Sequence, residues 1–205
     1  MKTTGVIDYG SGNFNSVFNA VNSLTPNIKV IKQSSDFDKV EKIILPGVGT
    51  FKAVMEQLNS KHLVDPLNLL VRDGKTAFLG ICVGMQILVS LGQEIEECPG
   101  LNYLEGQVTL LDVTSPFTLP HIGWNEVSSP KDMTLFTGIE EKASFYFVHS
   151  YHVNQLAKDV QVAHSKHDQR FVAALSHQNI HGVQFHPEKS QHDGLKLLEN
   201  FISLC

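Results

Sequence analysis

The sequence predicts an α/β fold built on one mixed sheet, and three observations carry that prediction. Short apolar segments alternate with segments of helical periodicity over the first half of the 205-residue chain. After about Gly100 the pattern changes to short strand-like segments joined by turns, with one helical segment at the end. No linker, repeat or low-complexity segment interrupts the chain. We therefore expect one domain over residues 1–205, with a mostly parallel central sheet flanked by helices and additional antiparallel strands in its C-terminal half.

The first half supplies the predicted parallel part of the sheet. Its candidate strands are apolar throughout, and the segments between them repeat apolar residues with helical spacing, as Phe14, Val17 and Val21 do. Strands buried on both faces have this composition, which favours parallel pairing under a cover of helices. The predicted strands are residues 5–9, 28–32, 42–45 and 77–81, and the predicted helices are residues 13–24, 50–58, 62–72 and 83–90.

The second half is richer in short strands. They follow one another through short turns, and we expect them to be partly antiparallel. These strands are residues 107–113, 121–128, 144–148, 160–164, 171–176 and 180–185, and a helix over residues 192–204 closes the chain.

Composition and charge argue against several classes of protein. The net charge is −5 and no run of Lys or Arg occurs, whereas a nucleic-acid-binding surface usually needs a strongly basic face. The longest apolar stretch, residues 77–92, is interrupted by Gln86 and Ser90 and is too short to cross a bilayer. The N-terminus lacks an apolar signal core, and the three cysteines have no CxxC spacing. We expect a reduced, cytoplasmic protein with no nucleic-acid or membrane partner.

The sharpest local feature surrounds Cys82. It lies between Gly80 and Gly84, after a predicted strand and before a predicted helix, as in a thiol counterpart of the G-x-S-x-G nucleophile elbow. Such a turn strains the nucleophile, and the glycines remove side chains that would clash. A helix N-terminus favours the thiolate, and the Val83 N–H is free to face a developing oxyanion. The competing interpretation is a small buried cysteine at the end of a strand.

A second segment supplies the base that a nucleophilic thiol needs. A predicted strand delivers His186 near its C-terminal end, where open α/β sheets place their sites. Pro187 keeps His186 extended, so that His186 and Glu188 can share a face. A carboxylate there can fix the imidazole tautomer while the imidazole takes the cysteine proton. Cys82, His186 and Glu188 are therefore the predicted nucleophile, base and orienting group of a hydrolase.

Two glycine-rich segments carry weaker signals. Gly47, Val48 and Gly49 follow a predicted strand and could turn backbone N–H groups toward an oxyanion, although a plain turn is the commoner explanation. The segment from Gly10 to Gly12 lacks the third glycine of a dinucleotide fingerprint. We therefore expect no nucleotide cofactor there.

The ten histidines raise the question of a metal site. No H-E-x-x-H pattern occurs, and the closely spaced pairs lie in predicted strands or loops, where such spacings do not converge as they do on a helix. We therefore expect no metal ion and no cofactor. The pairs are His149 with His152, His164 with His167, and His177 with His181.

Together these segments resemble the triad-type (class I) glutamine amidotransferases, and the resemblance covers nearly the whole chain. Within that family the chain is similar to the glutaminase subunits of imidazole glycerol phosphate synthase. The triad motifs indicate only a glutaminase, whereas residues 120–125 and 146–151 and the pair Lys189-Ser190 narrow the resemblance to these subunits. The matching segments are Ile7-Asp8-Tyr9-Gly10 with Gly12-Asn13, LPGVG (45–49), GICVGMQ (80–86), PHIGWN (120–125), YFVHSY (146–151) and QFHPEKS (184–190).

The resemblance implies the class I glutamine amidotransferase fold and a role for each matching residue. Cys82 would attack the side-chain amide of glutamine, forming a glutamyl thioester and releasing ammonia. His186 would serve as base and then acid, with Glu188 behind it. The resemblance further implies an oxyanion hole of Gly47, Val48, Gly49 and Val83, a glutamine site with Gln86, Ser150 and Tyr151, and a partner interface with Asn13, Pro120, Trp124 and Asn125.

The partner that the resemblance implies is a separate (β/α)8 cyclase subunit. It would use the ammonia to make imidazole glycerol phosphate and an aminoimidazole carboxamide ribotide in histidine biosynthesis. The sequence independently favours an acceptor site elsewhere, since one domain accounts for all 205 residues and no ATP-binding loop occurs. Trp124 has two interpretations: an anchor at the subunit interface, where tryptophan is enriched, or a buried core aromatic.

One segment departs from the family's pattern and leaves an alternative open. Residues 163–170 read Ala-His-Ser-Lys-His-Asp-Gln-Arg, where the family usually has a tyrosine-glycine turn. A paralogue that feeds ammonia to a sugar-modifying synthase of surface polysaccharide pathways would fit as well. A cysteine peptidase or stress-type hydrolase is a second alternative, although it has no need for Gln86 beside the nucleophile. A catalytically silent partner-binding module is a third, which the intact Cys82, His186 and Glu188 disfavour.

Overall fold

Strands and helices alternate through the first half of the chain, and strands dominate most of the second. The structure is a computed structural model and describes residues 2–205. The helices are α1 (Phe14–Leu24), α2 (Phe51–Ser60), α3 (Val64–Arg72), α4 (Val83–Gln86) and α5 (Gln191–Leu204). The strands are β1 (Thr4–Ile7), β2 (Ile28–Ile31), β3 (Lys42–Leu45), β4 (Ala77–Ile81), β5 (Val89–Gly92), β6 (Cys98–Pro99), β7 (Leu104–Leu110), β8 (His121–Glu126), β9 (Ser144–His149), β10 (Tyr151–Asn154), β11 (Gln161–His167), β12 (Gln169–His177) and β13 (Ile180–Val183).

Seven strands form the main sheet, in the order β11-β12-β13-β4-β3-β1-β2. The five strands from β13 to β2 pair in parallel, and β12 and β11 extend the sheet antiparallel. Every residue of β1, β3, β4 and β13 is buried, as expected for parallel strands covered on both faces. The predicted α/β class and mixed sheet are confirmed. Because parallel strands run the same way, the chain leaves β4 and β13 at the same edge of the sheet.

The helices cover the sheet with one apolar face each. α1 buries Val17 and Val21, and α5 buries Leu197, Leu198 and Phe201. Fully burying an aliphatic or aromatic side chain of this kind stabilises a fold by roughly 1.5–3 kcal/mol. The longest helix, α5, has 14 residues, and within residues 2–205 no helix has the length and apolar character needed to cross a membrane.

Lys42 in β3 holds the C-terminal end of α5. Its side chain is buried, and Nζ donates hydrogen bonds to the carbonyl oxygens of Phe201 (2.9 Å), Ile202 (2.6 Å) and Cys205 (2.6 Å). The last carbonyls of a helix have no partner within it, and a cation is favourable there. Burial lowers the pKa of Lys42. A lysine in an otherwise apolar strand is thus explained by a contact made far along the chain.

Two smaller sheets lie beside the main one, a four-stranded sheet (β10-β7-β5-β6) and a two-stranded ribbon (β8–β9). The first contains the main error of the sequence prediction. The helix predicted over residues 83–90 ends at Gln86, and Val89–Gly92 form β5, which pairs with β6 and β7. A Cβ atom on Gly100 would lie 2.1 Å from the Val89 carbonyl oxygen, so the next segment packs directly on this backbone. Pairing with distant strands overrides the local helical pattern here.

The ribbon has an inner and an outer face. Residues alternate between buried or half-buried and exposed along β8, so that His121 points inward while Ile122 and Trp124 point outward. Antiparallel pairing sets His121 opposite His149 and Trp124 opposite Tyr146. The ribbon is thereby positioned to join an internal network to an exposed surface.

Candidate active site

The segments that follow β4 and β13 bring the predicted nucleophile and base to one edge of the main sheet. Ile81 in β4 pairs with Val183 in β13, and the Cys82 N–H donates a hydrogen bond to the Val183 carbonyl (2.7 Å). His186 lies three residues beyond the end of β13, and its N–H donates to the Tyr146 carbonyl in β9 (2.9 Å). Three sheet elements therefore fix the backbone on either side of the site.

Cys82 lies on a strained turn. Its backbone has φ 55° and ψ −112°, a conformation that residues with a side chain rarely adopt and that costs about 1–3 kcal/mol. The flanking glycines are required by close packing: a Cβ atom on Gly80 would lie 2.3 Å from the Gly84 oxygen, and one on Gly84 would lie 2.2 Å from the Leu45 oxygen. The predicted strain and the predicted need for both glycines are confirmed. The helix behind the thiol is a single turn, so the expected field of a longer helix is reduced.

His186 is held by Glu188, and Glu188 is held in turn by Asn13 from the N-terminal part of the chain. Nδ1 of His186 lies 2.8 Å from Oε1 of Glu188, and the same oxygen accepts a hydrogen bond from Nδ2 of Asn13 (3.2 Å). The side chains of His186 and Glu188 are 2% and 0% exposed. Because Nδ1 is committed to Glu188, only Nε2 of His186 is available to the thiol of Cys82. The imidazole orientation is thus determined before any substrate binds.

The ionisation of His186 is set by its partners. Burial by itself lowers the pKa of His186, but hydrogen bonds to Cys82 and Glu188, together with the negative charge of both groups, outweigh it and raise the pKa to about 10. A histidine that gains a proton this readily can accept one from a neighbouring thiol. The arrangement therefore suits a base that forms an ion pair with the nucleophile.

The surroundings of the thiol contain groups that the sequence analysis did not single out. Sγ of Cys82 lies 3.8 Å from the Val148 carbonyl oxygen and 3.7 Å from Nε2 of Gln184. The Gln184 side chain also accepts a hydrogen bond from Nε2 of Gln86 (3.1 Å). Gln184 could have been found from the sequence, because it precedes His186 by two residues in an extended segment and so shares its face.

The thiol opens onto a cavity of about 320 Å³. Glutamine-sized ligands fit cavities of a few hundred Å³ lined by a small number of polar groups. The residues predicted to hold glutamine, Gln86, Ser150 and Tyr151, all line this cavity. Its other walls are Val48, Gly49, Cys82, Val83, Glu94, Pro120, Val148, His149, His186 and Lys189.

The predicted oxyanion loop divides into two parts. Val48 and Gly49 line the cavity, whereas Gly47 is buried and packs on the elbow: a Cβ atom there would lie 2.3 Å from the Gly84 N. Gly49 has φ +104°, and a Cβ atom built on it would have no neighbour within 4 Å. The loop is therefore fixed at Gly47 and has open space at Gly49.

The likeness to a known family extends over almost the whole sequence. The family model for class-I glutamine amidotransferases matches residues 5–204. The chain belongs to the class-I glutamine amidotransferase family. The family model therefore matches this amidotransferase well beyond the motifs around the cavity.

Several curated relatives of this amidotransferase share one name. It is 42% identical to the imidazole glycerol phosphate synthase subunit HisH 1 of Campylobacter jejuni, over 97% of this chain and 98% of the relative. It is 41% identical to the subunit HisH of Pelagibacter ubique over the same shares of the two chains. It is 40% identical to the subunit HisH 1 of Methanococcus maripaludis, again over 97% and 98%. The same name thus recurs in bacteria and an archaeon.

Solved structures of more distant proteins share the fold. A putative GMP synthase subunit from Thermoplasma acidophilum superimposes with a TM-score of 0.74 at 22% identity, covering 98% of this chain and 92% of that one. The PurLQS structure from Thermotoga maritima also gives a TM-score of 0.74, at 20% identity and with 98% of both chains covered. At identities this low, the similarity shows that these proteins share the fold of the amidotransferase.

The residues predicted to contact a partner separate into exposed and buried positions. Trp124 is 48% exposed, so its interpretation as a buried core aromatic is wrong, and Pro120 is exposed at the cavity mouth. Asn125 is half-buried and donates a hydrogen bond to the Lys166 carbonyl (2.7 Å). Asn13 is 5% exposed because its side chain is turned toward Glu188, which leaves it little surface for a partner.

An exposed, mostly apolar surface adjoins the cavity mouth of the amidotransferase. We call it the ribbon face and define it by Ile122, Trp124, Tyr146 and Lys189. Ile122 is 59% exposed, the rings of Trp124 and Tyr146 meet edge to face at 6.0 Å, and Lys189 Nζ lies 5.8 Å from the centre of the Tyr146 ring. Lys189 also lines the cavity. The ribbon face therefore runs continuously from the ribbon to the cavity.

Proposed function

We propose that this chain is a glutaminase that hydrolyses glutamine to glutamate and ammonia, and that it works as the glutaminase subunit of an imidazole glycerol phosphate synthase. The observation that carries the proposal is the His186 ring held between Glu188 and Cys82 at the floor of the cavity. Family membership and the shared name of the relatives support the same reaction and the same assembly.

The proposed chemistry proceeds through a covalent intermediate on Cys82. Nε2 of His186 takes the thiol proton, and Sγ attacks the side-chain amide carbon of glutamine, whose carbonyl oxygen becomes an oxyanion. When the tetrahedral adduct collapses, the C–N bond breaks and His186 returns the proton to the departing nitrogen, which leaves as ammonia. His186 then takes a proton from water, and hydroxide attacks the thioester carbon. The C–S bond breaks, glutamate leaves, and His186 returns the proton to Sγ of Cys82.

Glu188 and Asn13 are proposed to act through His186. A carboxylate at Nδ1 keeps the other ring nitrogen facing the thiol and stabilises the imidazolium that forms. Asn13 donates to the same Glu188 oxygen, so it holds the carboxylate in the orientation that this role needs. Both are positioning residues, because neither lies against the reacting atoms.

The oxyanion is proposed to be stabilised by the Val83 N–H and by an N–H of the loop at Val48 and Gly49. Both segments line the cavity beside Cys82. Since Gly49 has free space around it, the peptide between Val48 and Gly49 can turn without a clash. We propose that this rearrangement completes the oxyanion hole only when the partner is loaded with its own substrate, which prevents wasteful hydrolysis.

The partner is proposed to be a (β/α)8 cyclase that docks on the ribbon face and receives the ammonia. Tryptophan and tyrosine are enriched among the anchors of protein interfaces. Trp124 and Tyr146 supply such side chains on the ribbon face, and Lys189 joins them to the cavity mouth. The competing partner is a sugar-modifying synthase, as expected for a paralogue.

A glutaminase assay with and without the cyclase of the same organism tests the proposal. We expect slow glutamine hydrolysis by the isolated chain and strong stimulation by the cyclase carrying its nucleotide ligand. A cyclase that neither binds nor stimulates would overturn the histidine-biosynthetic assignment and favour the paralogue. Cleavage of peptides by the chain alone, without hydrolysis of glutamine, would instead favour the peptidase alternative.

A further inference from the structure

A buried pair of histidines lies on the ribbon side of the cavity and takes no part in the mechanism proposed above. His121 and His149 are 4% and 6% exposed, and Nδ1 of His121 lies 3.0 Å from Nε2 of His149. His149 also lines the cavity. Among residues 2–205 no three potential ligand side chains are placed to hold a metal ion.

The direction of each hydrogen bond follows from one fixed acceptor. Nδ1 of His149 lies 2.9 Å from the Tyr151 carbonyl oxygen, which can only accept, so Nδ1 of His149 carries a proton. Burial lowers the pKa of His149 to about 3 and that of His121 to about 4, so both rings are neutral and have one proton each near pH 7. Nε2 of His149 is therefore bare and accepts from Nδ1 of His121.

The same reasoning extends the chain of hydrogen bonds to the ribbon. With its proton on Nδ1, His121 has a bare Nε2, which faces Nδ2 of Asn125 at 3.4 Å. The His121 ring is stacked between Phe147 (5.1 Å between ring centres) and His167 (4.2 Å). His167 thus packs against the pair from β11.

At the other end the network reaches the nucleophile. The Tyr151 carbonyl accepts a second hydrogen bond, from Nε2 of Gln86 (3.0 Å), and Nε2 of Gln86 also donates to Oε1 of Gln184. Nε2 of Gln184 then lies 3.7 Å from Sγ of Cys82. The Tyr151 carbonyl fixes the orientation of the Gln86 amide, and the Gln86 amide fixes that of Gln184.

We propose that His121 and His149 are positioning residues for glutamine, and that they act by fixing the Tyr151 carbonyl and, through it, the side chain of Gln86. The proposal rests on the proposed glutaminase function and adds to it the group that orients the glutamine pocket. Without the donor at His149, the Tyr151 carbonyl and the Gln86 amide lose their common arrangement, and bound glutamine meets Cys82 in a wrong position. The intrinsic reactivity of the thiol depends mainly on His186 and Glu188, so it should change little.

Two probes of Cys82 separate these effects in the intact chain. A diazoketone analogue of glutamine labels Cys82 only after it binds in the pocket, whereas iodoacetamide needs no pocket. We expect His149→Leu to slow labelling by the analogue about 10- to 100-fold, as misplacement of a reactant does. The rate with iodoacetamide should stay within about twofold of the wild-type rate, well below the factor that misplacement produces.

Asparagine substitutions and another buried histidine supply the matched controls. Asparagine places an amide N–H where histidine has Nδ1, so His149→Asn and His121→Asn should retain more of the labelling rate than His149→Leu and His121→Leu. His181 is also buried and hydrogen-bonded, to Ser176 (2.9 Å), but it lies at the far end of β13. His181→Leu tests destabilisation without a change in the pocket, and its labelling rates should match the wild type.

The outcomes distinguish the inference from the function on which it rests. With the loaded cyclase present, a wild-type chain that reacts with iodoacetamide but not with the glutamine analogue would overturn the glutaminase function itself. Unchanged labelling of a folded His149→Leu variant by the analogue would overturn the positioning role and leave the function standing. An equal fall with both reagents would also overturn it, because the pair would then support the whole site and not the glutamine pocket.

Discussion

Buried histidines lie on two sides of the cavity, His186 on the side of the main sheet and the pair His121–His149, of which His149 lines the cavity, on the side of the ribbon. All three side chains belong to residues at most 6% exposed. The pKa of His186 is nevertheless raised to about 10, whereas those of His121 and His149 are lowered to about 4 and about 3. Burial is common to both groups, so the partners must decide the difference.

The partners differ in charge. His186 lies between a carboxylate and a thiol that can become negative, and both stabilise an imidazolium. His149 donates to a carbonyl and accepts from another neutral ring, so no charged partner compensates the loss of solvation that a charge would suffer. One side of the cavity is therefore suited to moving protons and the other to holding them in place.

The largest effect is expected at the nucleophile. Cys82→Ala should reduce glutamine hydrolysis to background, because the covalent route needs Sγ, while Cys98→Ala should leave it unchanged. Steady-state glutaminase assays in the presence of the partner measure both. If activity survives Cys82→Ala and falls with Cys98→Ala, Cys82 is not the nucleophile and the main-sheet side of the cavity is not the catalytic side.

The strain at Cys82 provides a second readout on the same residue. Glycine adopts positive φ without a steric cost, so Cys82→Gly should be more stable than Cys82→Ala by roughly 1–3 kcal/mol. Urea unfolding of the two inactive variants measures the difference. Equal stability would mean that the elbow relaxes when the thiol is removed.

The next largest effect is expected at the base and its orienting group. His186→Ala should lower kcat by roughly 10²–10⁴-fold, since no other group can take the thiol proton. Glu188→Gln should cost less, because Asn13 donates to Oε1 and keeps an amide oxygen facing Nδ1 of His186. Complete loss in Glu188→Gln would show that the charge, and not the orientation, is what the triad needs. Wild-type kinetics in His186→Ala would end the triad assignment.

A smaller effect is expected on the ribbon face. Trp124→Ala should weaken the complex with the cyclase by about 2 kcal/mol, as truncation of an interface anchor does. Because Trp124 is half exposed, the melting temperature of the isolated chain should change little. Calorimetric titration of the cyclase and a thermal melt of each variant measure the two quantities. Leu69 is also apolar and exposed, but it lies on α3 and not on the ribbon face, so Leu69→Ala is the control for binding.

The last effect concerns stability at acid pH and tests the comparison itself. An unfolded histidine has a pKa of about 6.5. Since His121 and His149 titrate lower in the folded chain, the unfolded state binds more protons as the pH falls from 6.5 toward 4, and stability is lost in that window. Each neutral ring can contribute a slope of up to about 1.4 kcal/mol per pH unit. The raised pKa of His186 has the opposite sign: its contribution is present below pH 6.5 and is lost as the pH rises through 10.

Urea midpoints measured from pH 7 to pH 4 test that sign. The decline should be shallower in His149→Asn, which has one titrating ring fewer, and His192→Asn, at an exposed position, is the control. A decline of the same steepness in His149→Asn and the wild type would mean that the ring is protonated in the folded chain. His121 and His149 would then not be the neutral rings, each with its proton on Nδ1, that we inferred.

The sequence by itself determined the features that depend on neighbours along the chain. Apolar strands separated by helical periodicity predict the parallel part of the sheet, and β3 and β4 were predicted to the residue. The glycines around Cys82 and the extended spacing of His186 and Glu188 are local patterns with a direct physical reason. Local patterns of this kind are visible without knowledge of the rest of the molecule.

Only the tertiary structure decided which distant groups meet. Pairing with β7 turned the predicted end of α4 into β5, and the carboxylate of Glu188 drew Asn13 away from the surface. The pairing of His121 with His149 requires the register of two strands, which no spacing in the sequence specifies. Their neutrality follows from being buried among partners without charge. A residue's type is written in the sequence, but its protonation depends on which groups the fold places around it.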